Sequence, residues 1–110
     1  MDVYKISVSV PKDHAAILMD AIDEAADWVT PNYSRAFSVT DCTGTWIPEE
    51  GSDPFIGEQG LISYAEEQKI EFIIRAECLQ KVLKAIDRTH PYEEPAVDVM
   101  PCKYWRDYLE

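Results

Sequence analysis

The sequence predicts an α+β domain whose elements run β-α-β-β-α-β. Three observations carry this. The stretch VYKISVSV, 3–10, alternates apolar and polar residues with the period of a strand that buries one face. Segments 12–29 and 78–90 place their apolar residues at helical spacing. Around them lie further stretches rich in β-branched and aromatic residues, as strands are.

In the first strand Tyr4, Ile6, Val8 and Val10 face one way and Lys5, Ser7 and Ser9 the other, until Pro11 ends it. In the first helix, 12–29, Leu18, Ala21, Ile22 and Ala25 share a face. Asp20, Asp23, Glu24 and Asp27 sit mostly elsewhere on the wheel, and Pro31 and Asn32 stop the helix. YSRAFSVTDCTGTWI, 33–47, reads as the second strand. PEEGSDPFIGEQG, 48–60, is a connection long enough to point to function or assembly. Its Phe55–Ile56 pair needs cover, either under the loop or on another subunit. QKIEFIIRAE, 68–77, is the third strand, with Ile70, Phe72 and Ile74 on one face. In the second helix, 78–90, Leu79, Val82, Leu83 and Ile86 keep i, i+3, i+4, i+7 spacing, and Lys84 and Arg88 complement the negative end of its dipole. AVDVM, 96–100, is the last strand. The expected core joins Leu79, Val82, Leu83 and Ile86 to Ile6, Val8, Ile70 and Phe72. Two β-α-β halves in one small domain give a ferredoxin-like sandwich, with both helices on one face of an antiparallel sheet and right-handed crossovers.

With 110 residues, 46% of them hydrophobic, the chain has the size and core of one domain. Its net charge of -11 repels phosphate backbones and anionic lipid, so neither nucleic acid nor a membrane is an expected partner. Cations and basic partners suit it. Cys42, Cys78 and Cys102 form no CxxC and no even set, so a disulfide framework is not expected and a reducing cytoplasm is. The N-terminus enters the strand pattern directly, with no leader-like run. Gly44, Gly51, Gly57 and Gly60 match no phosphate-binding pattern and read as turn residues. A cysteine nucleophile needs a base beside it, and His14 and His90 are the only histidines.

THPYEEPAVDVMP, 89–101, supports two readings. Pro91 ends the second helix and Pro95 forces Glu94 into an extended conformation, so the stretch serves as helix stop and strand start. It is also a polar turn pinned by prolines, with His90, Glu93 and Glu94 as candidate metal ligands and Tyr92 able to bond or stack on a ligand. A divalent metal ion is the cofactor that such a set can hold. His-x-x-Glu-Glu lacks the second spaced cluster of a strong metal motif. The tail CKYWRDYLE, 102–110, spaces Trp105, Tyr108 and Leu109 as one helical turn with an apolar face, expected to cover its own domain (1–101) or a neighbouring subunit.

Ordered motifs along nearly the whole chain also resemble a family. HPYEEPAVDVMP resembles the signature ending of the PII-like/CutA-like domain inserted in YqfO-type members of the Nif-three-like (NGG-interacting-factor-three) family. TPNYSRAFS, TGTWIPEEGSDPFIGEQG and EQKIEFII resemble three further segments of that domain, and only 102–110 lie outside the likeness. Pro31, Cys42 and Trp46 depart from it in ways that leave the fold intact. The resemblance implies a stand-alone version of the inserted domain, similar in fold to PII proteins and to CutA, which assemble as trimers and hold ligands or cations near subunit boundaries. It adds Asn32, Tyr33 and Glu71 to His90, Tyr92, Glu93 and Glu94 as expected ligand-binding residues. The metal ligands of the long family members have no counterparts here, so their hydrolase chemistry does not carry over.

Three functions are therefore in play. The leading one is a non-enzymatic, homo-oligomeric domain, trimeric before dimeric, that binds a small ligand or divalent cation in a regulatory role. The rivals are a pure assembly module and a metal-dependent hydrolase using His90. The chain lacks the nucleophile–base spacing and second ligand cluster that the enzyme needs.

Overall fold

The structure, a computed structural model, describes residues 1–109. Its main elements are β1 (Asp2–Pro11), α1 (Ala15–Ala25), β2 (Ser38–Trp46), β3 (Ser63–Arg75), α2 (Leu79–Thr89) and β4 (Val97–Lys103). Single 3-10 turns at Lys12–His14, Ala76–Cys78 and Trp105–Tyr108 complete it. The sheet order is β2-β3-β1-β4, and each neighbouring pair is antiparallel. This is the ferredoxin-like α+β sandwich that the pattern predicts.

Register explains the core. Ile6 lies opposite Phe72, and Val8 opposite Ile70, so apolar residues of adjacent strands share a face. Those four, with Val10 and Ile74, pack on Leu18 and Ile22 of α1 and on Val82 and Ile86 of α2. Both helices thus cover one face. Leu79 and Leu83, expected at the centre of α2's buried stripe, lie half-buried at its margin, and Ala85 takes the inner position.

Several boundaries differ from the periodic reading. α1 stops at Ala25, because Ala26 turns extended and Asp27 and Trp28 attach to the start of α2 and the end of β3. The Asp27 amide donates to Cys78 Sγ (3.2 Å), the Arg75 amide donates to the Asp27 carbonyl (3.1 Å), and Trp28 pairs with Ile74. β2 starts at Ser38 rather than Tyr33, since Asn32 and Arg35 have positive φ (69° and 54°) and break any earlier ladder. β4 runs to Lys103, pairing Cys102 with Val3. The tail then makes its 3-10 turn and Asp107 meets the Met1 amino group at 2.7 Å. Trp105, Tyr108 and Leu109 stay 56–70% exposed.

β3 starts at Ser63, five positions before the expected start, and outruns β1. Residues 67–75 pair with β1, while 63–71 pair with β2. Its first residues and the end of β2 therefore project as a two-stranded arm, and the molecule measures 55 × 24 × 24 Å.

Candidate functional site

Burial along β3 changes phase. Ile70, Phe72 and Ile74 are buried on the helix side, whereas Ser63, Ala65 and Glu67 are buried on the opposite side. A strand alternates strictly, so a second layer must cover that other face. It consists of loop 47–62, folded back over the arm, and the turn that joins α2 to β4.

Glu67 is the centre of this layer. It is only 5% exposed, and Tyr92 Oη donates to its Oε2 at 2.6 Å. Gly44 makes room for it: a Cβ there would collide with the Glu67 carboxylate. Gly44 is thus a clearance residue within a strand, unlike the left-handed Gly51, Gly57 and Gly60 of the loop. Burial, then the neighbouring carboxylate, push the Tyr92 pKa well above its ordinary value, which keeps the phenol protonated as a donor.

The His-Pro-Tyr turn is fixed from behind. His90 Nδ1 accepts from the Tyr92 amide (3.1 Å), so Nε2 carries the proton and donates to the Ser9 carbonyl (2.7 Å). Burial depresses the His90 pKa below its usual 6.5, ahead of the opposing pull of the Ser9 bond. Glu93 Oε1 accepts from the Asp53 amide (2.9 Å), tying the turn to the loop. Around Tyr92 stand the rings of His90 (5.0 Å between centroids), Trp46 (5.3 Å) and Phe55 (6.4 Å). Tyr92, Trp46 and Phe55 border a cleft of about 550 Å³, lined also by Cys42, Glu49, Ile56, Glu67, Lys69, Glu93 and Glu94. That size suits a metabolite-scale ligand.

Of the residues singled out from sequence, Tyr92, Glu93 and Glu94 line this cleft, and His90 braces Tyr92 with both ring nitrogens engaged. Glu71 lies farther along β3, with its carboxylate 4.0 Å from Lys5 Nζ, and borders a separate depression beside Trp28 and Tyr104. Asn32 and Tyr33 occupy the α1–β2 connection, where Tyr33 is 70% exposed, and are not part of the cleft. Phe55 and Ile56 line the cleft, Phe55 still 52% exposed and Ile56 half-buried, so the loop leaves this pair only partly covered. Sequence reading passed over Glu67, Trp46 and Lys69. The available signal was Gly44 inside a strand pattern, together with small residues at Ser63 and Ala65 that leave space below a covering loop. Among the described residues no three of His, Cys, Asp and Glu converge as a metal-binding set.

The His90 shift has a sign that stability measurements can read. A histidine whose folded pKa is depressed contributes stability that is present above the unfolded value of 6.5 and is lost as pH falls through the folded pKa. The melting temperature should therefore drop as pH is lowered from about 7.5 through 6.5 and below. A His90→Gln protein should start lower and show a flatter profile over that window. Parallel profiles would mean that His90 is not the titrating group.

No family model matches the chain. Over 99 residues, 90% of its length, it is 42% identical to the GTP cyclohydrolase 1 type 2 homolog of Halalkalibacterium halodurans. It spans 27% of that protein and 26% of the Bacillus subtilis protein of the same name, about a quarter of these curated relatives. Among solved structures it superposes on a Bacillus cereus protein related to NIF3 with a TM-score of 0.79 and 37% identity, covering 94% of this chain and 26% of that one. The fold also matches the periplasmic divalent cation tolerance protein CutA of Archaeoglobus fulgidus, with a TM-score of 0.66 and 16% identity over 99% of this chain and 92% of that one. No helix of the described residues is long and apolar enough to cross a membrane. The chain has the ferredoxin-like fold shared with CutA and resembles a segment of the NIF3-related proteins.

Proposed function

We propose that this domain is a non-catalytic, homo-oligomeric module that binds a small ligand in the cleft between loop 47–62 and the turn at 90–96, with a regulatory role. The observation that carries the reading is the buried Glu67 carboxylate, held by Tyr92 on the cleft floor. A buried charge costs stability unless it is paired, and one kept facing a metabolite-sized space suits recognition. Unpaired edges at β2 and β4 and the exposed Trp105, Tyr108 and Leu109 support assembly, trimer before dimer. The free thiols of Cys42, Cys78 and Cys102 support a cytoplasmic setting. A divalent cation on Glu93 and Glu94, with His90 nearby, is a second reading, favoured by both glutamates lining the cleft and by the name of the CutA proteins that share the fold.

Thermal melting across a panel of anionic, neutral and cationic metabolites and divalent salts tests this. A cleft ligand at about 100 times its Kd should stabilise the wild type by about 2.7 kcal/mol. It should do much less for Glu67→Gln, which keeps an acceptor for Tyr92. Equal stabilisation of both proteins would place binding elsewhere. A metal response lost in the Glu93→Gln, Glu94→Gln protein would favour the cation. A monomeric mass by light scattering at micromolar concentration would overturn the assembly part.

A further inference from the structure

We infer that the ligand of this cleft is an organic ammonium compound, held by cation–π contact on its aromatic wall and by ion pairing with Glu67. The inference rests on the cleft being a ligand site and adds the chemical class. Three features point the same way.

The first is the wall. Trp46 and Phe55 flank Tyr92 at 5.3 and 6.4 Å between centroids, with interplanar angles of 57° and 53°. Rings tilted to one another present more than one π-face to a shared space, and that geometry attracts cations, Trp most strongly. Because the Tyr92 hydroxyl donates to a carboxylate, its ring is richer in electrons than that of a free phenol.

The second is the floor. Glu67 is nine-tenths buried, yet Tyr92 occupies only Oε2. No hydrogen-bond partner among the described residues engages Oε1, and the residue lines the cleft. Neither carboxylate oxygen is both sealed from solvent and unpartnered, so Oε1 opens to the cleft. A low-dielectric carboxylate with one free acceptor is matched by an N–H donor carrying positive charge.

The third is the balance of charge. Glu49, Glu67, Glu93 and Glu94 line the cleft against Lys69 alone, on a chain of net charge -11. Such a field concentrates cations and repels anions such as nucleotides and carboxylates. A bare metal ion fits less well. Glu67 and Glu93 each spend an oxygen on a protein donor, and the aromatic wall offers a metal ion no ligand atom. An ammonium group on a carbon frame uses both surfaces.

The test is titration of the full chain with choline, 1,5-diaminopentane and 3,3-dimethylbutanol, the last being the uncharged carbon analogue of choline. Binding is read from the Trp46 indole N–H resonance. Both amines should shift that signal saturably, and the neutral alcohol should bind at least about tenfold more weakly. Raising salt from about 20 to 300 mM should weaken the amines several-fold, as screening of the ion pair requires. Glu67→Gln should reduce amine affinity by about tenfold, and Trp46→Leu, in which binding is read from the backbone amide resonances of Lys69 and Tyr92 instead, should reduce it while leaving the core methyl resonances in place. Equal binding of choline and the alcohol would overturn the ammonium class while leaving a small-molecule site. So would a cleft response confined to anions or divalent ions. Failure of every compound in the metabolite panel to move cleft resonances would overturn the site as well.

Discussion

Replacing Ile70 by alanine should remove about 2–5 kcal/mol of stability, the range for deleting a large aliphatic side chain from a packed core. Ile70 is fully buried, pairs with Val8 on one side and Val39 on the other, and faces both helices from the middle of β3. No neighbour can move into the space without leaving its own contacts, so the vacated volume stays largely open. Urea unfolding should show a lower midpoint with an unchanged slope. The half-buried Leu83, truncated in the same way, should cost distinctly less. A loss below about 0.5 kcal/mol for Ile70→Ala, the size of an ordinary surface change, would contradict this packing.

Tyr92→Phe should destabilise the protein by about 1–3 kcal/mol or somewhat more, because it leaves a buried carboxylate without its donor while removing almost no volume. The effect should depend on Glu67. In a Glu67→Met background the Tyr92→Phe change should cost far less, since an apolar partner needs no donor. The double-mutant cycle should give a coupling energy of at least about 0.5 kcal/mol between the two residues. Additive losses would mean that the 2.6 Å contact contributes nothing to folding.

The strands and helices were legible because burial on one face imposes a period. Ile6, Val8, Ile70, Phe72, Val82 and Ile86 repeat at intervals that only one secondary structure satisfies. Boundaries were less legible where side-chain and backbone bonds to distant elements overrule local preference. The helical pattern runs on past Ala25, but the Asp27 and Trp28 backbone is claimed by Cys78, Arg75 and Ile74. The site was half legible. Tyr92, Glu93 and Glu94 stand in a proline-pinned turn whose polarity is evident in one dimension. Glu67 looks like any surface glutamate in EEQK, and its burial arises only when loop 47–62 folds over the second face of β3. Periodicity reports one covering layer per strand, and this strand has two.

The arm formed by the start of β3 and the end of β2 has an energetic consequence. On the helix side Thr43, Thr45, Tyr64 and Glu66 face water, so no helix holds this ribbon. An isolated two-stranded ribbon is marginally stable at best, and here the folded-back loop supplies the missing layer. Opening free energy is therefore graded along one strand, high from Ile70 to Ile74 and low from Ser63 to Glu67. The cleft sits at the low end of that gradient. Under the proposed binding mode, a molecule seated between Trp46, Glu67 and the Glu93–Asp53 tie would fasten the loop to the arm, so occupancy would act first as a change in local unfolding and only secondarily in shape.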